Sequence, residues 1–215
     1  MTESIYDLTL RSIYISSTAA ALSFILALII ALKMLDSSVK TRSIVIGVFE
    51  ALVGVPTTVV GLLMYILLYP RGPLGVLRLL YTPIAIIIGE SLVALPIAFI
   101  SIFRHLQNAR DNVRELILAL GLPRKNERSL LLRETAPVLI SSYLTSFSRA
   151  IGELGVALIA GGGIEGYTNV LTTAIALQTS IGNYEYAIQI GCVLIGITML
   201  IIIPLRMLGE RVYGA

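Results

Sequence analysis

Long apolar blocks, separated by short polar segments, run the length of this chain. Five of them reach or pass the roughly 20 residues that a helix needs to cross bilayer hydrocarbon: 12–32, 43–69, 83–103, 136–160 and 186–205. The second holds Pro56 and three glycines, which predicts a tilted or kinked helix, and the third carries Pro96 inside. Between the last two blocks, the apolar run 170–179 is too short to span. It predicts an interfacial or re-entrant helix, admissible only where protein or water satisfies its backbone ends. The pattern as a whole predicts an all-α integral membrane fold with five transmembrane helices, one hydrophilic loop (104–135) and one short helix ahead of the last span. No repeat, linker or low-complexity tract divides the chain, so a single domain is expected over 1–215, with its core at 8–205.

Composition sharpens this picture. Hydrophobic residues make up 56% of the 215 and charged residues 13%, with a mean hydropathy of +0.90. The charged fraction is about half that of a soluble domain. One cysteine (Cys192) and one histidine (His105) exclude a disulfide framework or a Cys/His metal cluster within one chain. They also leave no His/Asp/Ser constellation for a membrane-embedded enzyme. Glu3 and Asp7 precede the first block without a basic cluster, so that block reads as a spanning helix rather than a cleavable signal. Basic residues then orient the spans. Twelve of the sixteen lie in 33–42, 104–133 and the C-terminal tail; Arg11, Arg71 and Arg78 lie on the other side, and Arg149 lies at membrane depth. The excess of Lys and Arg places the N-terminus outside and the C-terminus in the cytoplasm.

The loop 104–135 is too short for a domain but long enough for two short helices. Asn112 can cap the first, with Glu115 in a capping-box position. Leu116, Ile117, Leu120 and Leu122 give it an apolar side, and Gly121 and Pro123 stop it. Its basic residues suit anionic headgroups. Its apolar side suits the grip of a soluble partner, and spacing leaves both readings open.

Charges at membrane depth cost upward of about 2.5 kcal/mol each, yet Arg149 and Glu153 sit four residues apart in the fourth block. Ser142, Ser146, Arg149 and Glu153 follow i, i+4, i+7, i+11 spacing and form one polar stripe. Ser141, Thr145, Ser148 and Gly152 form the adjacent one. Such a face does not suit lipid. It serves either as helix-packing material or as the wall of a polar path, and both remain open. Arg149 can be locked to Glu153, or across helices to Glu90 or Glu50. Glu90 lies deep in the third block and needs a partner. The glycines at 161–163 form either a turn or a concave nest of N–H groups suited to an anion.

Two segments resemble a known family. Glu115 and Gly121, six positions apart and about 90 residues from the C-terminus, resemble the coupling loop of binding-protein-dependent ABC importer permeases. Leu116 and Ile117 stand where that motif has two alanines, and Arg133-Glu134 where it has Leu-Pro. The run Arg149-Ala150-Ile151-Gly152-Glu153 is similar to the molybdate and tungstate branch. The segments 161–164, 170–175, 55–61 and 71–75 look like its tungstate members, with Gly163 where Asn is common. The resemblance implies that Glu115, Leu116, Leu120 and Gly121 dock into a cytoplasmic ATPase, Glu115 orienting the coupling helix and Gly121 making its turn. It implies two such ATPases and an extracytoplasmic oxyanion-binding protein as partners, in the cell membrane. A homodimer is expected, since five spans leave little room to enclose a hydrated tetrahedral anion. The chain has no Gly-rich Lys-Ser/Thr phosphate loop, so ATP and Mg would be bound by the partner and no cofactor or metal is expected here. The expected function is tungstate import through a path shaped by Ser142, Ser146, Arg149, Glu153 and Glu90. Molybdate or another oxyanion is the alternative, and a passive channel a more distant one.

Overall fold

The computed structural model describes residues 3–119, 123 and 127–213, with side chains to residue 203. These residues form helices and connecting turns. Helix α1 (Ile5–Met34) is 30 residues long and α9 (Tyr184–Tyr213) equally long. Helices α2 (Val39–Val53) and α3 (Thr57–Leu68) follow α1. Then come α4 (Pro83–Ala119), α5 (Glu127–Glu134), α6 (Ala136–Ile151), α7 (Gly155–Gly161) and α8 (Leu171–Ser180). Among the described residues, three helices are long and apolar enough to cross a membrane: α1, α4 and the 184–203 part of α9. The bent pair α2–α3 makes up to four.

Small residues let α1 and α4 lie side by side. The buried face of α1 includes Ser12, Ser16, Ala19, Ala20, Ser23, Ala27 and Ala31 beside Leu8 and Ile15, and that of α4 includes Ala85, Gly89, Ala94 and Ala98. Close backbone approach replaces the hydrophobic effect as the source of attraction in lipid. The opposite face of α1 exposes Leu22, Ile25, Leu26 and Ile29, and α9 exposes Ile188, Ile195, Met199, Leu200 and Ile203. These are the faces that hydrocarbon can cover. Further along, Ala27, Ala31 and Leu35 of the α1 end pack with Phe99, Phe103, Leu106, Val113 and Ile117 of α4.

Three sequence expectations are corrected here. The second block is two helices bent by 94° rather than one kinked span. Gly54, Val55 and Pro56 make the break, because proline donates no N–H and excludes its predecessor from helical backbone. The fourth block is also divided, into α6 and α7, with Gly152 at the C-cap. Finally, α4 does not end near Phe103 and restart at a capped Asn112. It runs unbroken for 37 residues. The segment 104–119 contains no glycine or proline, and Val113 and Ile117 are buried against the α1 end. Burial of that face favours continuation over the local cap.

Ion pairs fasten the basic end of the molecule. Arg110 of α4 pairs with Asp36 and, at 3.0 Å, with Glu127 of α5. Arg114 meets Glu127 at 2.9 Å and Arg128 meets Asp36 at 3.0 Å. Arg110 and Arg42 both donate to the carbonyl of Leu35, closing the exposed C-terminus of α1. The Arg110 and Arg128 hydrogen bonds hold the Asp36 carboxyl below its usual range. Burial pushes Glu127 up, but Arg110 and Arg114 outweigh it and the net direction is down. Both folded-state values are depressed, so the clasp contributes stability above the unfolded carboxylate pKa of about 4 and loses it as pH falls through the lower folded values. We expect acid-dependent loosening of α5 below about pH 4, and an Arg110→Ala variant that is already loose at pH 7. Limited proteolysis within 120–135 across a pH series reads both. Cleavage of the variant no faster than wild type at pH 7 would sink the clasp.

Candidate functional site

The α6–α7 junction gathers the polar groups of the membrane region. Gly152 ends α6, and Glu153 sits between the helices with 2% exposure. One carboxylate oxygen accepts from Arg149 Nη1 at 2.7 Å, and the other accepts the Val156 N–H at 3.3 Å. The same side chain therefore neutralises the cation on the last turn of α6 and takes up a free donor on the first turn of α7. From α8, Thr172 Oγ1 donates to the Glu153 carbonyl at 2.9 Å. Two glycines set the packing behind it. A Cβ on Gly155 would lie 2.8 Å from Thr57 Oγ1 and Thr58 N, and one on Gly61 would lie 2.9 Å from the Gly155 carbonyl. Helices α3 and α7 thus touch backbone to backbone.

The two adjacent polar stripes of α6 differ in burial. Ser142 and Ser146 are buried, as is Glu153. Ser142 Oγ lies 2.8 Å from Ser101 Oγ of α4, and the Ser142 and Ser146 hydroxyls bond the carbonyls one turn back. The Ser141–Thr145–Ser148–Gly152 stripe is open, with Thr145 and Gly152 exposed and Ser141 and Ser148 half-buried; Arg149, at the edge of the first stripe, is half-buried beside it. The exposed faces of α1, α3 and α9 carry large apolar side chains. This face of α6 carries hydroxyls and the edge of a guanidinium.

Glu90 of α4 is 1% exposed and neighbours Ser16 of α1. It lies within electrostatic range of Arg149 and Glu153 but forms no ion pair among the described residues, and its Oε2 has no hydrogen-bond partner. Arg149 therefore pairs with Glu153 and not with Glu90. Glu50 instead meets Arg104 at 2.6 Å at the exposed rim. The glycine run forms an ordered turn. Gly162 and Gly163 adopt positive φ, the Gly162 N–H closes α7, and Thr168 Oγ1 accepts from Ile164 N and donates to the Gly161 carbonyl. Of the expected coupling residues, Glu115 and Leu116 stand exposed on the last turns of α4, while Leu120 and Gly121 lie outside the described residues. Sequence reasoning missed Ser101 and Thr172 as partners of the stripe. Ser101 is a lone hydroxyl in an apolar run, and Thr172 lies in the 170–175 segment without any local sign of what it bonds.

Apolar helices packed on small residues, with an open polar face on one of them, suit a membrane permease subunit. The chain belongs to the family described as the binding-protein-dependent transport system inner membrane component, whose model matches residues 23–213. It is therefore a multi-pass cell-membrane protein. It is 34% identical over 197 residues to the tungstate uptake system permease protein TupB of Peptoclostridium acidaminophilum, covering 92% of this chain and 86% of that one. It is 33% identical over 198 residues to a probable anion ABC transporter permease protein of Haloferax volcanii, covering 90% and 85%. It is 25% identical over 194 residues to the molybdenum transport system permease protein ModB of Azotobacter vinelandii, covering 83% of each.

Removing one member of a buried ion pair leaves the other uncompensated and costs about 3 kcal/mol or more. Arg149→Met, which strands the buried Glu153 carboxylate, is therefore expected to lower the melting temperature of the purified protein well below that of the apolar double variant Arg149→Met/Glu153→Leu. A single variant as stable as the double one would remove the case for a buried pair.

Proposed function

We propose that this chain is the transmembrane subunit of an ATP-driven importer of a tetrahedral oxyanion, with tungstate as the cargo. The observation that carries this reading is the near-full-length similarity to a tungstate uptake permease. The similarity to a molybdenum transport permease supports molybdate as a second cargo. Five membrane crossings follow if α2–α3 and α6–α7 each count as one broken span, with the N-terminus outside and the basic end in the cytoplasm.

Two copies around a two-fold axis enclose the path, with the open face of α6 turned inward. Ser141, Thr145, Ser148 and the Arg149 edge then meet the anion. Ser142, Ser146, Glu153 and Glu90 back that wall and hold its charge balance. A neutralised guanidinium attracts an anion without trapping it, as conduction requires. Glu115, Leu116, Leu120 and Gly121 form the element that docks on each of two cytoplasmic ATPases, which bind the ATP and Mg. An extracytoplasmic oxyanion-binding protein delivers the cargo.

Uptake of radiolabelled tungstate by the reconstituted complex tests this. Excess molybdate is expected to compete, and uptake is expected to require ATP. Gly121→Pro should abolish ATPase pull-down and uptake together. ATP-independent flux would instead indicate a passive channel, and undiminished ATPase association in the variant would refute the docking role. Thr145→Leu, which places an alkyl group on the open face, should cut uptake at least about tenfold (about 1.4 kcal/mol) without changing ATPase association.

A further inference from the structure

Away from the α6–α7 junction, a carboxylate sits in a ready-made anion receptor. Glu3 precedes the first residue of α1 and reaches the loop between α7 and α8. Its Oε1 accepts from Arg11 Nη1 at 2.6 Å and from the Gly166 N–H at 3.0 Å, and its Oε2 accepts from Asn169 Nδ2 at 3.0 Å. Arg11 Nη1 also donates to the Asn169 carbonyl at 2.7 Å, and Thr173 Oγ1 lies 2.8 Å from Asn169 Oδ1, which turns the amide nitrogen toward Glu3. Gly166 holds φ +74, and its N–H faces the carboxylate from a backbone conformation that L side chains rarely adopt. The Tyr186 hydroxyl of α9 donates to the Glu3 carbonyl. The Arg11 and Glu3 side chains are 17% and 10% exposed.

We propose that Arg11, the Gly166 N–H and Asn169 form a transit site for the tetrahedral oxyanion, and that Glu3 is its tethered stand-in. This inference rests on the oxyanion-import reading and places the site at the outer end in that orientation. The three groups facing Glu3 are all donors, one of them charged, and a tetrahedral dianion offers acceptor oxygens in more directions than a carboxylate does. Burial pushes the Glu3 carboxyl up. The hydrogen bonds from Arg11, Asn169 and Gly166 outweigh it and hold the carboxyl below its usual range. The receptor is therefore filled by an internal anion at neutral pH.

Glu3 can leave without unwinding α1, because the helix starts two residues later. A competitor on so short a tether acts at an effective concentration in the millimolar range. It weakens binding of the arriving anion and helps to expel it, and exposed Glu165 beside Gly166 adds repulsion. Glu3 and the oxyanion thus take turns on one set of donors.

Equilibrium binding of radiolabelled tungstate to the full-length permease in lipid nanodiscs tests the site, with sulfate and nitrate as competitors. Glu3→Ala is expected to bind tungstate at least about tenfold more tightly than wild type. Sulfate should compete and planar nitrate should not. Glu3→Ala/Arg11→Gln should lose the gain. Affinity in Glu3→Ala no higher than wild type overturns the proposal, as does a gain that survives loss of Arg11. Should Glu3→Ala fail to assemble, wild-type hydrogen exchange gives the answer. Saturating tungstate should accelerate exchange over residues 3–6, and unchanged exchange rejects the stand-in. Continued ATP-driven tungstate uptake alongside either negative result leaves the import reading intact and removes only this site.

Discussion

In hydrocarbon, a helix can stop only where something takes up the backbone groups it leaves behind. The Glu153 carboxylate provides that at the α6–α7 break. It binds a donor of α7 with one oxygen and the Arg149 guanidinium with the other, while its own carbonyl takes the Thr172 hydroxyl. The buried donor and carboxylate would otherwise be stranded away from water, and the half-buried guanidinium is neutralised where it sits. Without the break, α7 could not turn to meet α3 through Gly61 and Gly155, and the open face of α6 would be flanked differently. A charge that looks expensive in isolation is the means by which a broken helix becomes tolerable.

The remaining helices obey a simpler rule. Lipid is as apolar as leucine, so burying large side chains gains little between helices, and attraction comes from closeness. The α1–α4 contact accordingly uses serine, alanine and glycine, alongside large buried side chains such as Ile15, Ile86, Phe99 and Phe103. Other bulky residues point out along α1, α3 and α9. Hydroxyls in the interior bond carbonyls a turn back on their own helix, as at Ser12, Ser142 and Ser146. Two of them also bridge helices: Ser142 Oγ meets Ser101 Oγ of α4 at 2.8 Å, and Ser12 Oγ accepts the Leu171 N–H of α8 at 2.8 Å.

The sequence made some of this legible and hid the rest for physical reasons. Apolar block length located α1, α9 and the short α8 well, because spanning length is set by the bilayer. Spacing found both stripes on α6, but packing against α1 and α4, where Ser101 meets Ser142, decides which one is buried. The break at Gly152 was hidden because a glycine in an apolar block looks the same in a continuous helix and at a helix end. The bond that selects the end comes from Thr172, nineteen residues away. Asn112 and Glu115 carried a genuine capping signal that lost to the burial of Val113 and Ile117. Glu3 reads in the sequence only as a charge ahead of the first block, because its partners Gly166 and Asn169 lie more than 160 residues along the chain and only Arg11 is near.

The continuity of α4 has a mechanical side. Its 37 residues make a rod of about 55 Å that reaches from Pro83, past buried Glu90, to the turn bearing Glu115. Pro96 is its one interior proline, and it has no loop to absorb displacement. A tilt of about 5° about one end moves the other by about 5 Å, close to the rise of one helical turn. Gly89, whose added Cβ would sit 2.2 Å from Val156 Cγ1, lies along that rod against α7. Movement imposed at the Glu115 end therefore reaches the α6–α7 junction as leverage, without a change of fold.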